Sequence, residues 1–144
     1  MPGKRAVAIL AVALSVMLPE STTAQRLKLQ GGPVVITLDP VGRPAGEDGS
    51  SRLQWNQVRS PSKIMVSSSS IDQRFELFVD AIDVQRGLPT GELSLVSGGT
   101  AQDLIVAITQ RGSGRCTLNY RAVARPENGF GEETHTVTYT ITGQ

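Results

Sequence analysis

Cysteine and histidine are almost missing from this chain, which contains one of each, Cys116 and His135. One cysteine cannot close a disulfide within the chain, and one cysteine with one histidine cannot supply the ligand set of a zinc site. The fold must therefore be stabilised by its hydrophobic core. We expect the thiol of Cys116 either to lie in that core or to pair with a second chain in an oxidising compartment.

An excess of charge of one sign is also lacking, because 14 basic residues stand against 13 acidic ones. This balance gives nucleic acids and anionic membranes no electrostatic reason to bind. The acidic residues Asp39, Glu47 and Asp48, and separately Asp80 and Asp83, do not have the spacing of a calcium loop. No glycine-rich phosphate loop is found either, so the sequence predicts no metal, no cofactor and no nucleic-acid partner.

The N-terminus has the pattern of a secretory signal peptide. Lys4 and Arg5 give it a positive start, residues 6–18 form a run of 13 apolar and small residues, and Pro19 ends that run. We expect cleavage after Ala24, so residues 1–24 are predicted to be a leader. The alternative is an uncleaved membrane anchor, for which the run is short.

The predicted mature chain, residues 25–144, has no net charge. The predicted leader carries Lys4, Arg5 and Glu20. Its removal reduces the 14 basic and 13 acidic residues to 12 of each. A chain of this length suits one domain with one core, and no second apolar run of membrane length follows. We therefore expect an exported single-domain protein, in the periplasm, on the cell surface or secreted, with no membrane span after cleavage.

Short apolar runs with alternating polar residues fill the mature chain. Turn-forming segments separate them, for example at Ser60-Pro61, at Gly98-Gly99 and at residues 126–131. Short strands at this spacing predict an all-β fold, an antiparallel β-sandwich of the immunoglobulin-like kind. Residues 41–51, rich in glycine, proline and acidic residues, are predicted to be a loop.

Residues 70–86 fit either a strand or one short helix. A helix, started by a capping box of Ser70 and Gln73, would gather one apolar face from Ile71, Phe75, Phe78, Val79 and Ile82. A strand would place Phe75, Leu77, Val79 and Ala81 on one face and Phe78 and Ile82 on the other. The neighbouring strands favour the strand, with the helix as the alternative.

Cys116 and His135 could form a nucleophilic site only if their side chains touched. Asn128-Gly129 lies between the two alternating runs that contain them, which predicts a hairpin with Tyr120 opposite Val137. In that register Cys116 and His135 lie about six residues apart, on the order of 20 Å. We therefore predict no catalytic residue and no enzymatic activity, and we expect His135 to be half exposed at the loop end of its strand.

The same register predicts which side chains of the two strands face the core. They are Cys116, Leu118, Tyr120, Ala122, Ala124, His135, Val137, Tyr139 and Ile141. The opposite face of the last strand carries Thr134, Thr136, Thr138, Thr140 and Thr142. Threonine is β-branched and polar, which suits a solvated strand surface.

Phe130 is the one candidate binding residue. It lies in the segment ENGFGE, at the tip of the predicted loop between the last two strands. An exposed aromatic side chain on a loop can contact a ligand or a protein partner. The alternative is that Phe130 folds back and covers the end of the sandwich.

The segment TVTYTIT resembles the last strand of bacterial exported immunoglobulin-like domains, and the chain is similar to fimbrial subunits of the chaperone-assembled kind. The similarity lies in a signal peptide, a short all-β mature chain, an alternating last strand and a glycine at the fourteenth position from the C-terminus, here Gly131. This resemblance implies an exported β-sandwich and assigns no functional residue.

The predicted function is that of an exported structural, adhesin-like or assembly protein that acts by protein–protein contact. Its expected partners are other protein subunits or components of the cell surface. The alternative is a module that binds a small ligand or a carbohydrate through loops at one end of the sandwich, residues 46–51 and 127–131.

Overall fold

The computed structural model of this chain describes residues 8–17, 26–31, 33–39, 44–58, 61–70, 73–109, 112–125, 127 and 131–143. Eleven β-strands account for most of these residues, and no α-helix occurs among them. No helix within these ranges is therefore long and apolar enough to cross a membrane.

In chain order, the strands are β1 (Ala8–Met17), β2 (Arg26–Gln30), β3 (Val34–Leu38), β4 (Ala45–Val58), β5 (Ser62–Ser70), β6 (Glu76–Gln85), β7 (Leu88–Pro89), β8 (Leu93–Ser94), β9 (Gln102–Ile108), β10 (Gly112–Val123) and β11 (Glu132–Gly143).

The strands form two sheets that pack against each other. One sheet has six strands in the order β3-β1-β11-β5-β9-β7, and the other has five in the order β2-β4-β10-β6-β8. Neighbouring strands are antiparallel, except that β1 and β11 are parallel. Side chains from both sheets form one hydrophobic core. The predicted all-β sandwich is therefore confirmed.

Period-two alternation determines which residues enter this core. All nine side chains predicted to face inward from β10 and β11 are buried. The threonines of β11 lie on the other face and are exposed or partly exposed. His135 is fully buried, so the expectation of a half-exposed histidine is wrong. The inward face of β11 continues past His135 to Glu133, which is itself only 5% exposed.

Residues 76–85 form a strand, which decides between the two structures predicted for residues 70–86. Its inward face carries Leu77, Val79 and Ala81, all buried. Phe78 points outward, and the guanidinium of Arg121 lies 4.1 Å from the centroid of its ring. A cation over the ring stabilises an aromatic side chain that the core does not cover.

β10 and β11 do not pair with each other, so the predicted hairpin is wrong. β10 lies between β4 and β6 in one sheet, and β11 lies between β1 and β5 in the other. Two strands with one apolar face each can pair side by side or face each other across a core, and the alternation is the same in both cases. Here Tyr120 and Tyr139 meet across the core, where their hydroxyl groups form a hydrogen bond.

The loop predicted over residues 41–51 is wrong from Ala45 onward, because β4 begins there. Gly46 allows close packing against β3, since a β-carbon at this position would come within 2.8 Å of the Ile36 side chain. Gly49 lies at a register shift in the ladder between β4 and β10. Glycine in a strand commonly marks a bulge or a close approach of another part of the chain. A strand that contains such glycines therefore resembles a turn in composition.

Ala8–Met17, which belongs to the predicted leader, forms β1 between β3 and β11. It pairs with β11 from Ile9 to Met17 and with β3 from Ala8 to Val12. The expected cleavage point at Ala24 lies outside the described residues. Removal of residues 1–24 therefore stays a prediction.

Replacing Gly114 with alanine should destabilise the sandwich. Gly114 pairs with the buried Trp55, and a β-carbon at position 114 would overlap the indole ring. Overpacking of this kind lowers the free energy of unfolding by about 1–3 kcal/mol, which urea denaturation measures. Gly143→Ala is the control, because an added β-carbon there meets no atom within 4 Å. Equal unfolding midpoints for the two variants would contradict the expectation.

Candidate functional site

Cys116 is 3% exposed and lies in the core. Burial raises the pKa of its thiol from 9.0 to about 12, against the smaller lowering effect of a hydrogen bond to the backbone of Leu53. The thiolate is the nucleophilic form of cysteine, and at neutral pH this thiol is protonated. Of the two fates predicted for Cys116, the buried thiol is the one found.

Tyr120 and Tyr139 lie at the centre of the core, and both are 0% exposed. Desolvation by burial is the largest cause that raises the pKa of each hydroxyl group. The two hydroxyls are hydrogen-bonded to each other across the two sheets, one donating and the other accepting. A buried hydroxyl without a partner is costly, so this hydrogen bond favours the packing in which Tyr120 and Tyr139 face each other.

His135 does not meet Cys116 but lies between two other polar side chains. Its Nδ1 is 3.3 Å from Oγ of Ser68, and its Nε2 is 2.9 Å from Oε2 of Glu133. Ser68 is 6% exposed and His135 is 0% exposed. A carboxylate only accepts hydrogen bonds, so Nε2 of His135 donates to Glu133.

Serine, imidazole and carboxylate in this order are the groups of a nucleophilic triad. A triad needs a serine that a substrate can reach, and Oγ of Ser68 lies inside the sandwich. The Glu133 carboxylate also accepts hydrogen bonds from the backbone N–H groups of Arg74 and Phe75, the latter at 3.0 Å. This cluster therefore connects β5, β11 and the segment that leads into β6.

Two further residues complete the polar contacts at this end of the molecule. The Gln73 side chain donates to the carbonyl groups of Phe75 and Leu95, each at 3.0 Å, and accepts from the backbone N–H of Ser97. Ser97 in turn donates its hydroxyl to the carbonyl of Ser70 at 2.7 Å. The end of β5 is thus held by hydrogen bonds that hydrophobic patterning does not encode.

The cluster around His135 could not be predicted from a register that places β11 beside β10. The available signal was the run of four serines, residues 67–70, which pairs with β11 in the structure. In that pairing Ser68 is opposite Val137 and Ser70 is opposite His135, so alternation brings Ser68 to the inward face. A buried serine beside a buried histidine could have been inferred only from the correct strand partner.

Phe130 lies outside the described residues. Of the two loops proposed for ligand binding, residues 46–51 belong to β4, and only residues 127 and 131 of the second are described. Across the part of the chain that the structure describes, no group of three or more histidine, cysteine or acidic residues could hold a metal ion.

The position of β1 is the feature that bears on contact with other proteins. β1 is the only neighbour of β3 in the six-stranded sheet, as far as the described strands show. It also covers the edge of β11 over the nine residue pairs from Ile9–Glu132 to Met17–Thr140. The position between β3 and β11 is therefore one that a strand must fill if both neighbours are to be paired.

Native Cys116 should react slowly with a disulfide reagent such as dithiobis-nitrobenzoate. A pKa raised from 9.0 to about 12 lowers the thiolate fraction at pH 8 by roughly a thousandfold. The measurement compares labelling rates at pH 8 in buffer and in denaturant, and the chain's single cysteine supplies the whole signal. Native and denatured rates within about tenfold of each other would show that burial is incomplete.

The Tyr120–Tyr139 hydrogen bond should give non-additive stabilities in a double-mutant cycle. Tyr120→Phe or Tyr139→Phe alone leaves one buried hydroxyl without its partner and should cost about 1–3 kcal/mol. The double phenylalanine variant should cost clearly less than the sum of the two single changes. Denaturant unfolding of the four proteins measures this, and additive losses would argue against the pairing.

No protein-family model matches this chain, and no curated protein matches it.

Proposed function

We propose that this protein is an exported assembly protein, whose six-stranded sheet is completed by a strand from another protein subunit. The observation that carries the proposal is the position of Ala8–Met17 between β3 and β11. The same residues have the composition of a cleavable leader. One segment thus has two incompatible roles, and a partner strand resolves the conflict.

Removal of the leader would open both neighbouring strands at once. β11 would lose a paired edge over nine residues, and β3 would lose five pairs. Unpaired N–H and C=O groups along a strand readily accept another strand, which makes an open edge a site for β-augmentation. Cleavage would therefore leave an edge at which another protein can bind through backbone hydrogen bonds.

The core also favours a strand in this position. Val34, Ile36 and Leu38 of β3 are between 0 and 4% exposed, so β3 contributes fully to the core. Without β1, no described strand connects β3 to the rest of the six-stranded sheet by backbone hydrogen bonds. A mature chain with this position empty would expose apolar surface along the gap, which is typical of an interaction site.

The length, sequence and direction of β1 indicate what kind of partner strand would fit in its place. β1 is ten residues long, has the sequence AILAVALSVM, and runs parallel to β11 and antiparallel to β3. The expected partner is therefore a subunit with an apolar strand of similar length, in the periplasm or at the cell surface. This agrees with the resemblance to chaperone-assembled fimbrial subunits and needs neither a cofactor nor a catalytic group.

The test is to express the full precursor with export and to determine the N-terminus of the product by mass spectrometry. We expect the product to begin at Gln25 and to form oligomers in size exclusion with light scattering. A synthetic peptide of residues 8–17 should dissociate these oligomers and raise the unfolding temperature. The matched control peptide carries Val12→Pro and Leu14→Pro, which remove two backbone donors from the ladder and should abolish both effects.

Two outcomes would contradict the proposal. A product that retains residues 8–17 would have its own strand in the position between β3 and β11. A strictly monomeric mature protein that responds equally to both peptides, or to neither, would not have an open position at all.

A further inference from the structure

A bulge in the five-stranded sheet creates a depression on its outer face. β10 and β6 pair at Arg115–Gln85 and at Thr117–Ile82, so two residues of β6, Asp83 and Val84, lie opposite Cys116. Asp83 has a φ of 52°, in the left-handed region that residues with a side chain adopt infrequently. Bulges of this kind redirect side chains and commonly lie beside binding sites.

Two open cavities adjoin each other along this depression. The first, of about 200 Å³, is lined by Arg52, Asp83, Gln85, Arg115, Cys116 and Thr117. The second, of about 280 Å³, is lined by Gln54, Asn56, Gln85, Ser113, Gly114 and Arg115. They share the lining residues Gln85 and Arg115, and the two adjoining cavities together are named the bulge groove, whose size suits a small ligand.

Two exposed arginines, Arg52 and Arg115, line the bulge groove. Arg52 pairs with Thr117, and Arg115 pairs with Gln54, so the two arginines are diagonal neighbours on adjacent strands. Side chains in this relation lie about 7–8 Å apart at their bases, within reach of one shared ligand. Neither guanidinium forms an ion pair or a side-chain hydrogen bond with any residue that the structure describes.

Two other arginines, one on β10 and one just after it, form ion pairs. Arg121 binds Glu92 with an N–O distance of 2.6 Å, and Arg125 binds Glu76 at 2.8 Å. Arginine is suited to bidentate binding of a carboxylate, so two such guanidinium groups around one groove favour an anionic ligand. Arg52 and Arg115 line the same groove as the Asp83 carboxylate but form no ion pair with it, so both guanidinium groups are available to bind an anionic ligand.

The remaining groups of the bulge groove limit what that ligand can be. The Asp83 carboxylate repels a phosphate dianion more strongly than a singly charged carboxylate, and it accepts hydrogen bonds from hydroxyl groups. The side-chain amides of Gln54, Asn56 and Gln85 both donate and accept, which suits neighbouring hydroxyls on a ring. A ligand with one carboxylate and several hydroxyls satisfies all of these groups.

The geometry points to the bulge groove as a binding site for the uronic-acid residues of an acidic polysaccharide. Arg52 and Arg115 hold the carboxylate, and Asp83 with the amide side chains binds the hydroxyl groups of the sugar ring. The groove is open to solvent, so a polysaccharide can continue beyond the bound residue. The site lies on the five-stranded sheet, away from the position of β1, and is independent of the proposed assembly.

The test uses a galacturonic-acid oligosaccharide and its methyl ester, which is neutral but keeps the same ring hydroxyls. Isothermal titration of the purified protein should show saturable binding of the acid and at least about tenfold weaker binding of the ester. Arg115→Ala and Arg52→Ala should each weaken binding of the acid by about tenfold. Arg125→Ala, which removes an exposed arginine outside the groove, is the control and should bind normally.

Several results would overturn this inference. They are no saturable binding of the acid, equal binding of acid and ester, or equal loss in Arg125→Ala and Arg115→Ala. Tighter binding of inorganic phosphate than of the uronic acid would also overturn it, since phosphate offers charge without ring hydroxyls. Circular dichroism of each variant establishes that lost binding does not reflect lost folding.

Discussion

The two sheets of this protein are held together by the burial of their facing surfaces, with no disulfide between them. Cys116 is the single cysteine and is itself part of the core. Alternating side chains from both sheets therefore have to exclude water along the whole length of the sandwich. Polar groups in such a core are usually satisfied by hydrogen bonds, as Tyr120 and Tyr139 are at its centre.

The sequence predicted those features that depend on local alternation. The inward and outward faces of β10 and β11 and the strand over residues 76–85 follow from the period of the apolar residues. The partner of each strand could not be predicted in the same way. Alternation states which face is buried but not what covers it, and the hairpin proposed for β10 and β11 failed for this reason.

The candidate sites also depend on strand pairing, which the alternation of apolar residues does not specify. The buried cluster of Ser68, His135 and Glu133 needs the pairing of β5 with β11. The groove beside Asp83 needs a bulge in the pairing of β6 with β10. Gly46 and Gly49 suggested a loop because composition does not separate a turn from a strand with a bulge. Non-local register, more than residue type, therefore determines where chemistry is possible in this molecule.

The Glu133 carboxylate has a consequence for the kinetics of the proposed assembly. It binds the backbone of Arg74 and Phe75 and the His135 ring, so the beginning of β11 is anchored from inside the sandwich. β5 pairs with the rest of that strand. None of these contacts involves β1, so they would keep the receiving edge of β11 in place after cleavage. A partner that docks on a preorganised edge loses less conformational entropy in the complex, and its association does not wait for β11 to form.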